Sequence, residues 1–105
     1  MTPTLHARQL LTIICEADIE RQLAADLRSR GVRGYTITDA RGHGKHGDRD
    51  ALWPASANIR IEALCDSHIL SATLIMLEEN YFKNHGLVAF VSEVAVLRAD
   101  QFESS

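Results

Sequence analysis

Cysteine and proline are both scarce, two of each in 105 residues. Cys15 and Cys65 are too few for a disulfide framework and do not stand at Cys-x-x-Cys spacing. Each closes an apolar run, where a thiol ordinarily serves as a small buried hydrophobe; a reactive thiol or a bridge stays open to the sequence alone. Positive charge is not in excess, with 11 Lys and Arg against 14 Asp and Glu and a net charge of −3. Nonspecific nucleic-acid binding needs clustered cations and is not expected. No apolar run reaches the roughly 18 residues of a membrane span. The opening Met1-Thr2-Pro3-Thr4 has neither the basic flank nor the apolar stretch of a signal peptide. The expectation is a cytoplasmic protein, not inserted in a membrane. Internal repeats and low-complexity tracts are also missing. What is present, 46% apolar and 24% charged residues, fits one folded domain over residues 1–105 that buries about two-thirds of its unfolded surface.

Leu10-Leu11-Thr12-Ile13-Ile14-Cys15 is apolar and β-branched, as in a buried strand. Asp18 is placed to cap a helix whose inner face repeats Ile19, Leu23 and Leu27. Arg28 and Arg30 suit its C-terminal end, and Gly31 suits the left-handed residue that stops it. Gly34 to Asp39 alternates as a half-buried strand. After a patternless stretch, Ala57 to Cys65 alternates again, with Ile59, Ile61, Ala63 and Cys65 inward and Asn58, Arg60 and Glu62 outward. Asp66 or Ser67 can cap a second helix, with an inner stripe of Ile69, Leu70, Thr73, Leu74, Leu77 and Tyr81 ending at Asn84-His85-Gly86. Leu87 to Val91 is an apolar strand, which Val94-Ala95-Val96-Leu97 either extends or follows as a short fifth strand. The tail from Asp100 reads as frayed. This order predicts an α+β, ferredoxin-like βαββαβ fold with a long loop between strands 2 and 3. Apolar residues on the uncovered sheet face predict a homo-oligomer.

The patternless stretch from Arg41 to Ser56, about 16 residues, exceeds the usual connection in a compact domain. Gly42, Gly44 and Gly47 are interleaved there with His43, Lys45, His46, Asp48, Arg49 and Asp50. Successive glycine-freed amides can form an anion-binding nest, with Lys45, His46 and Arg49 supplying phosphate-directed charge. A solvated turn-rich loop is the plain alternative. Neither a P-loop nor a dinucleotide fingerprint occurs. His43 and His46 near Asp48 and Asp50 make a weak metal set, short of a rigid four-ligand site. His6 and His68 read as surface residues. His85 either complements a helix end or faces a ligand. Arg98 ends the last strand and is either solvated or reaches a neighbouring copy. Glu78 and Glu79 are adjacent on a helix, unlike a catalytic carboxylate pair. Trp53-Pro54 lies within the loop with no preferred reading. No nucleophile has a motif around it.

Gly34-Tyr35-Thr36-Ile37-Thr38, Gly42-His43-Gly44, the long loop and Ile59-Arg60-Ile61-Glu62 together resemble PII signalling proteins. Ala57 to Glu62, Tyr81-Phe82 and Val94 to Leu97 are similar to the PII-like branch linked to bicarbonate transporters and carboxysomes, with the carboxysome-associated members nearest. The resemblance covers about residues 7–98. It implies a homotrimer with adenine nucleotides between subunits. Thr36 and Leu64 would line the adenine side, and Gly42 and Gly44 would form the loop base around the phosphates. His46 and Arg49 would stand where the transporter-linked branch has arginines facing phosphate, His43 and Lys45 of the same loop join the candidate nucleotide residues, and Gly86, Leu87 and Arg98 would form the opposite wall from a neighbouring subunit. Lys83-Asn84-His85-Gly86 replaces the glycine-rich loop that grips a triphosphate in PII proteins, which implies ADP or AMP in preference to ATP. Tyr35 and Tyr81 are the only tyrosines, so the tyrosine modified in the long loop of nitrogen-sensing members has no counterpart. Nor does the two-cysteine tail of some transporter-linked relatives.

The expectation is therefore a non-enzymatic sensor with no required cofactor. Its ligands would be ADP or AMP with bicarbonate, and its partner a bicarbonate transporter or a carboxysome-related protein to which it is recruited. Two alternatives stand beside it. One is a divalent-metal-binding protein of the copper-tolerance type using His43, His46 and nearby carboxylates. The other is an enzyme that slowly hydrolyses nucleotides.

Overall fold

A computed structural model describes residues 2–44, 47–48 and 58–98, with residues 43, 44, 47 and 48 described by backbone only. Strand β1, His6–Glu16, leads through a 3-10 turn, Ala17–Ile19, into helix α1, Glu20–Ser29. Strands β2, Thr36–Asp39, β3, His43–Gly44, and β4, Gly47–Asp48, follow. Then come β5, Asn58–Cys65, helix α2, Ser67–Asn80, and β6, Val88–Val96. The main sheet runs β2-β5-β1-β6, antiparallel at every pairing. This is the ferredoxin-like arrangement that the order of elements predicts.

Strand β1 is longer than its apolar stretch. It is central, paired with β5 from Gln9 onward and with β6 from His6 to Ile14, so the β6 ladder holds it even where the side chains are His6, Arg8 and Gln9. Leu11, Ile13 and Cys15 on β1 and Ile59, Ile61, Ala63 and Cys65 on β5 form one face. Leu23 and Leu27 of α1, Ile69, Met76 and Leu77 of α2, and Tyr81 just after it close over it as a single core. Both cysteines are buried thiols, in accord with their reading as small hydrophobes. Gly31 takes φ 101 and stops α1, where the Val32 N–H donates to the Leu27 carbonyl at 3.1 Å. Asp66 caps α2, its Oδ1 accepting from the Ile69 N–H at 2.9 Å.

Several expectations need correction. Asp18 is not a cap: it sits inside the 3-10 turn, and neither Glu16 nor Ile19 at the two helix starts makes a side-chain cap. A cap requires extended backbone, and the chain has already coiled at Asp18. Strand β2 starts at Thr36 rather than Gly34. Met76 belongs to the inner stripe of α2, while Leu70 and Leu74 are only half-buried. That helix is apolar nearly all round, which blurs its inward direction in sequence. There is no break before Val94: β6 continues through Ser92 and Glu93, which pair with Leu10 and Gln9. The long connection is not wholly patternless, since β3 and β4 pair through His43 with Asp48 and Gly44 with Gly47. Asn58 shares the face of Arg60 and Glu62, as the alternation predicts, yet is only 2% exposed.

Candidate functional site

Directly opposed residues of antiparallel strands share a face. The face away from the helices therefore carries Leu10, Thr12, Ile14 and Glu16 on β1, with Asn58, Arg60, Glu62 and Leu64 beside them. Val88, Phe90 and Ser92 continue it on β6, and Thr36 and Thr38 on β2. Val88 and Phe90 are 42% and 46% exposed, so this face presents apolar surface.

Strand register sorts the predicted nucleotide residues into two groups. One end of the sheet gathers Glu16, Asn58, Asp39 and Val88. There the Ala40 N–H donates to the Asn58 carbonyl at 3.1 Å, and the chain passes through the exposed Gly42 to the paired backbones of His43 and Gly44. Gly86, exposed, and Leu87, half-buried against the core, enter β6 at this same end. The other end holds Leu64 opposite Leu10, and Arg98, exposed, just beyond β6. Thr36 pairs with Glu62, two residues before Leu64. Lys45, His46 and Arg49 lie outside the described residues, as do Trp53, Pro54 and the tail from Asp100.

Gly86 and Leu87 precede β6 and Arg98 follows it, and its nine residues alone span about 26 Å at ~3.3 Å per step, so one chain places these candidates at opposite ends of the strand.

Charge at the first end is held by a specific contact. Glu16 Oε1 lies 2.7 Å from His85 Nδ1, with side chains 19% and 23% exposed. The His85 ring also rests against the Tyr81 ring, centroids 5.7 Å apart. His85 thus neither simply complements the end of α2 nor stands free toward a ligand. Asn58 is opposite Glu16 in register, and among the described residues neither its amide nitrogen nor its amide oxygen has a hydrogen-bond partner. The Thr12 hydroxyl on the same face is likewise buried without a partner among them. Reading the sequence missed all three features; an Asn opening an alternating strand, directly after a glycine-rich loop, was the available signal for Asn58.

At the second end a cavity of about 280 Å³ is lined by Ala7, Arg8, Gln9, Cys65, Asp66 and Ser67; the sequence singled out Cys65 as a buried hydrophobe and Asp66 or Ser67 as a cap, and none as lining a cavity. Burial, and secondarily the Asp66 carboxylate, pushes the Cys65 thiol from 9.0 up to about 11. Among the described residues, no three His, Cys, Asp or Glu side chains gather as a metal set. The His43 and His46 side chains that the metal reading needs lie outside what is described. No helix among the described residues is long and apolar enough to cross a membrane.

A four-stranded antiparallel sheet backed by two helices, with chemistry-bearing residues at both ends of its open face, defines a ferredoxin-like domain. The family model for nitrogen regulatory protein P-II matches residues 8–101, and the chain belongs to that family. It is similar to a protein of Thermus thermophilus described as PII-like and signaling, with 35% identity and a TM-score of 0.79, covering 93% of this chain and 97% of that one. It is also similar to CPII of Thiomonas intermedia, a nitrogen regulatory PII-like protein bound to ADP, AMP and bicarbonate. There identity is 28% and the TM-score 0.86, over 98% of this chain and 100% of that one. The GlnK–ATP complex of B. subtilis shares the fold at 14% identity and a TM-score of 0.63, over 84% and 82% of the two chains. No curated protein sequence matches the chain.

Proposed function

We propose that this chain is a non-enzymatic PII-like sensor that binds ADP or AMP, with bicarbonate as a second ligand, in clefts between the copies of a homotrimer. The observation that carries this reading is the division of the candidate residues between opposite ends of one sheet face. That division leaves each site incomplete until a second copy supplies the other half. Gly42, His43, Gly44, Lys45, His46 and Arg49 form the phosphate side with Gly86 and Leu87, where amides and cations meet negative charge. Thr36, Leu64 and Arg98 come from the neighbour. The apolar open face, with Val88 and Phe90, supplies the contact between copies. The ligands of CPII, ADP and AMP with bicarbonate, support the same choice here.

Ligand would act by selecting among arrangements of the chain between Arg41 and Ser56, through differential affinity for them. That segment would present or withdraw a surface for a bicarbonate transporter or a carboxysome-related protein, regulating inorganic-carbon uptake or fixation in the cytoplasm. A carboxysome-associated role follows from the resemblance of Ala57 to Glu62 and Val94 to Leu97.

Calorimetry with AMP, ADP and ATP, with and without bicarbonate, tests the reading together with the sedimentation mass. The expected result is a trimer with one adenylate site per chain, ADP or AMP binding more tightly than ATP, and bicarbonate raising the affinity. Absence of heat with every nucleotide would overturn it.

A further inference from the structure

The nucleotide reading leaves unexplained why a carboxylate stands at the end of the sheet assigned to phosphates. Glu16 is the last residue of the central strand, paired on β5 with Asn58, so its backbone cannot retreat from charge placed beside it. One hydrogen bond of 2.7 Å joins it to His85, which immediately precedes Gly86. His85 is itself fixed: its N–H donates to the Tyr81 carbonyl at 3.0 Å, and its carbonyl accepts from the Leu87 N–H at 2.9 Å. The buried Asn58 amide, unpartnered among the described residues, adds a second feature that points to a ligand at this end.

We propose that Glu16 and His85 set how many phosphates this end accepts, Glu16 opposing and His85 tolerating each added negative charge. The inference rests on the nucleotide reading above and deepens it. ATP carries one more negative charge than ADP, and a half-buried carboxylate repels that increment far more than bulk water would allow. Bound to Glu16 through Nδ1, the imidazole can offset that repulsion only when it carries a proton on each nitrogen. The pair is therefore a charge gate whose two members act in opposite directions.

The test is the ratio of ATP to ADP affinity, measured by calorimetry at mildly acidic pH and fixed ionic strength. Glu16→Gln keeps an acceptor for Nδ1–H but removes the charge, and is expected to raise the ratio by about tenfold. His85→Gln keeps a donor for Glu16 but removes the cation, and is expected to lower it. A contact that merely held the chain in place would shift both variants the same way, and that result would overturn the proposal. So would an unchanged ratio in Glu16→Gln with ADP still bound. If the unsubstituted protein binds no nucleotide at all, the underlying reading falls first and this inference with it.

Discussion

Cys65 is fully buried at the end of β5, beside Asp66. With its thiol pushed up to about 11, chiefly by burial, it stays protonated at neutral pH and is a poor nucleophile. Iodoacetamide at mildly alkaline pH is expected to leave it unlabelled in the folded protein and to label it in urea; rapid labelling without urea would contradict the placement. The sign of its pH effect follows from the raised folded value. The stabilisation is complete below the unfolded value of 9.0 and is lost as pH rises through about 11. Tyr81 acts in the same sense. Burial first, then its hydroxyl's hydrogen bond to Asp26, raise it well above the usual phenol range. At this scale the sequence was informative about apolar positions and not about polar ones. Cys15 and Cys65 announce burial by the runs they close. Glu16 and His85 stand 69 positions apart and meet only through the sheet.

The helix ends separate residues that look equivalent in sequence. Asp66 and Ser67 both suit an N-cap, and the structure gives the role to Asp66. Asp66→Ala is expected to cost about 1 kcal/mol in urea unfolding, with an unchanged slope. Ser67→Ala should stay within about 0.5 kcal/mol, as exposed substitutions usually do. Equal losses would mean the cap is shared. Strands were legible where one face is core, as the alternation of Ile59, Ile61, Ala63 and Cys65 shows. They were obscured where pairing rather than burial holds them. His6, Arg8, Gln9, Ser92 and Glu93 carry polar side chains on continuous ladders, and backbone hydrogen bonds leave no periodicity to read.

At the scale of the whole molecule, the order of elements and their apolar periods were enough to predict the ferredoxin-like sheet. The candidate site was legible only as residue types, because strand register decides at which end of the sheet each member lies and the proposed site draws on a second copy. Gly86, Leu87 and Arg98 look like one wall in sequence, yet β6 holds them at opposite ends. The central claim is thus that each site is assembled from two copies, and co-expression of two variants tests it most directly. Gly42→Glu places a negative charge at the loop end, where a Cβ meets nothing within 4 Å, and Arg98→Glu reverses charge at the other end. Each variant alone is expected to lose ADP binding while remaining folded. The randomly assorted population should regain about a quarter of its sites, because an intact loop end meets an intact Arg98 end in that share of all interfaces. Mixed assemblies that bind no ADP, although unsubstituted protein does, would contradict a site shared between copies.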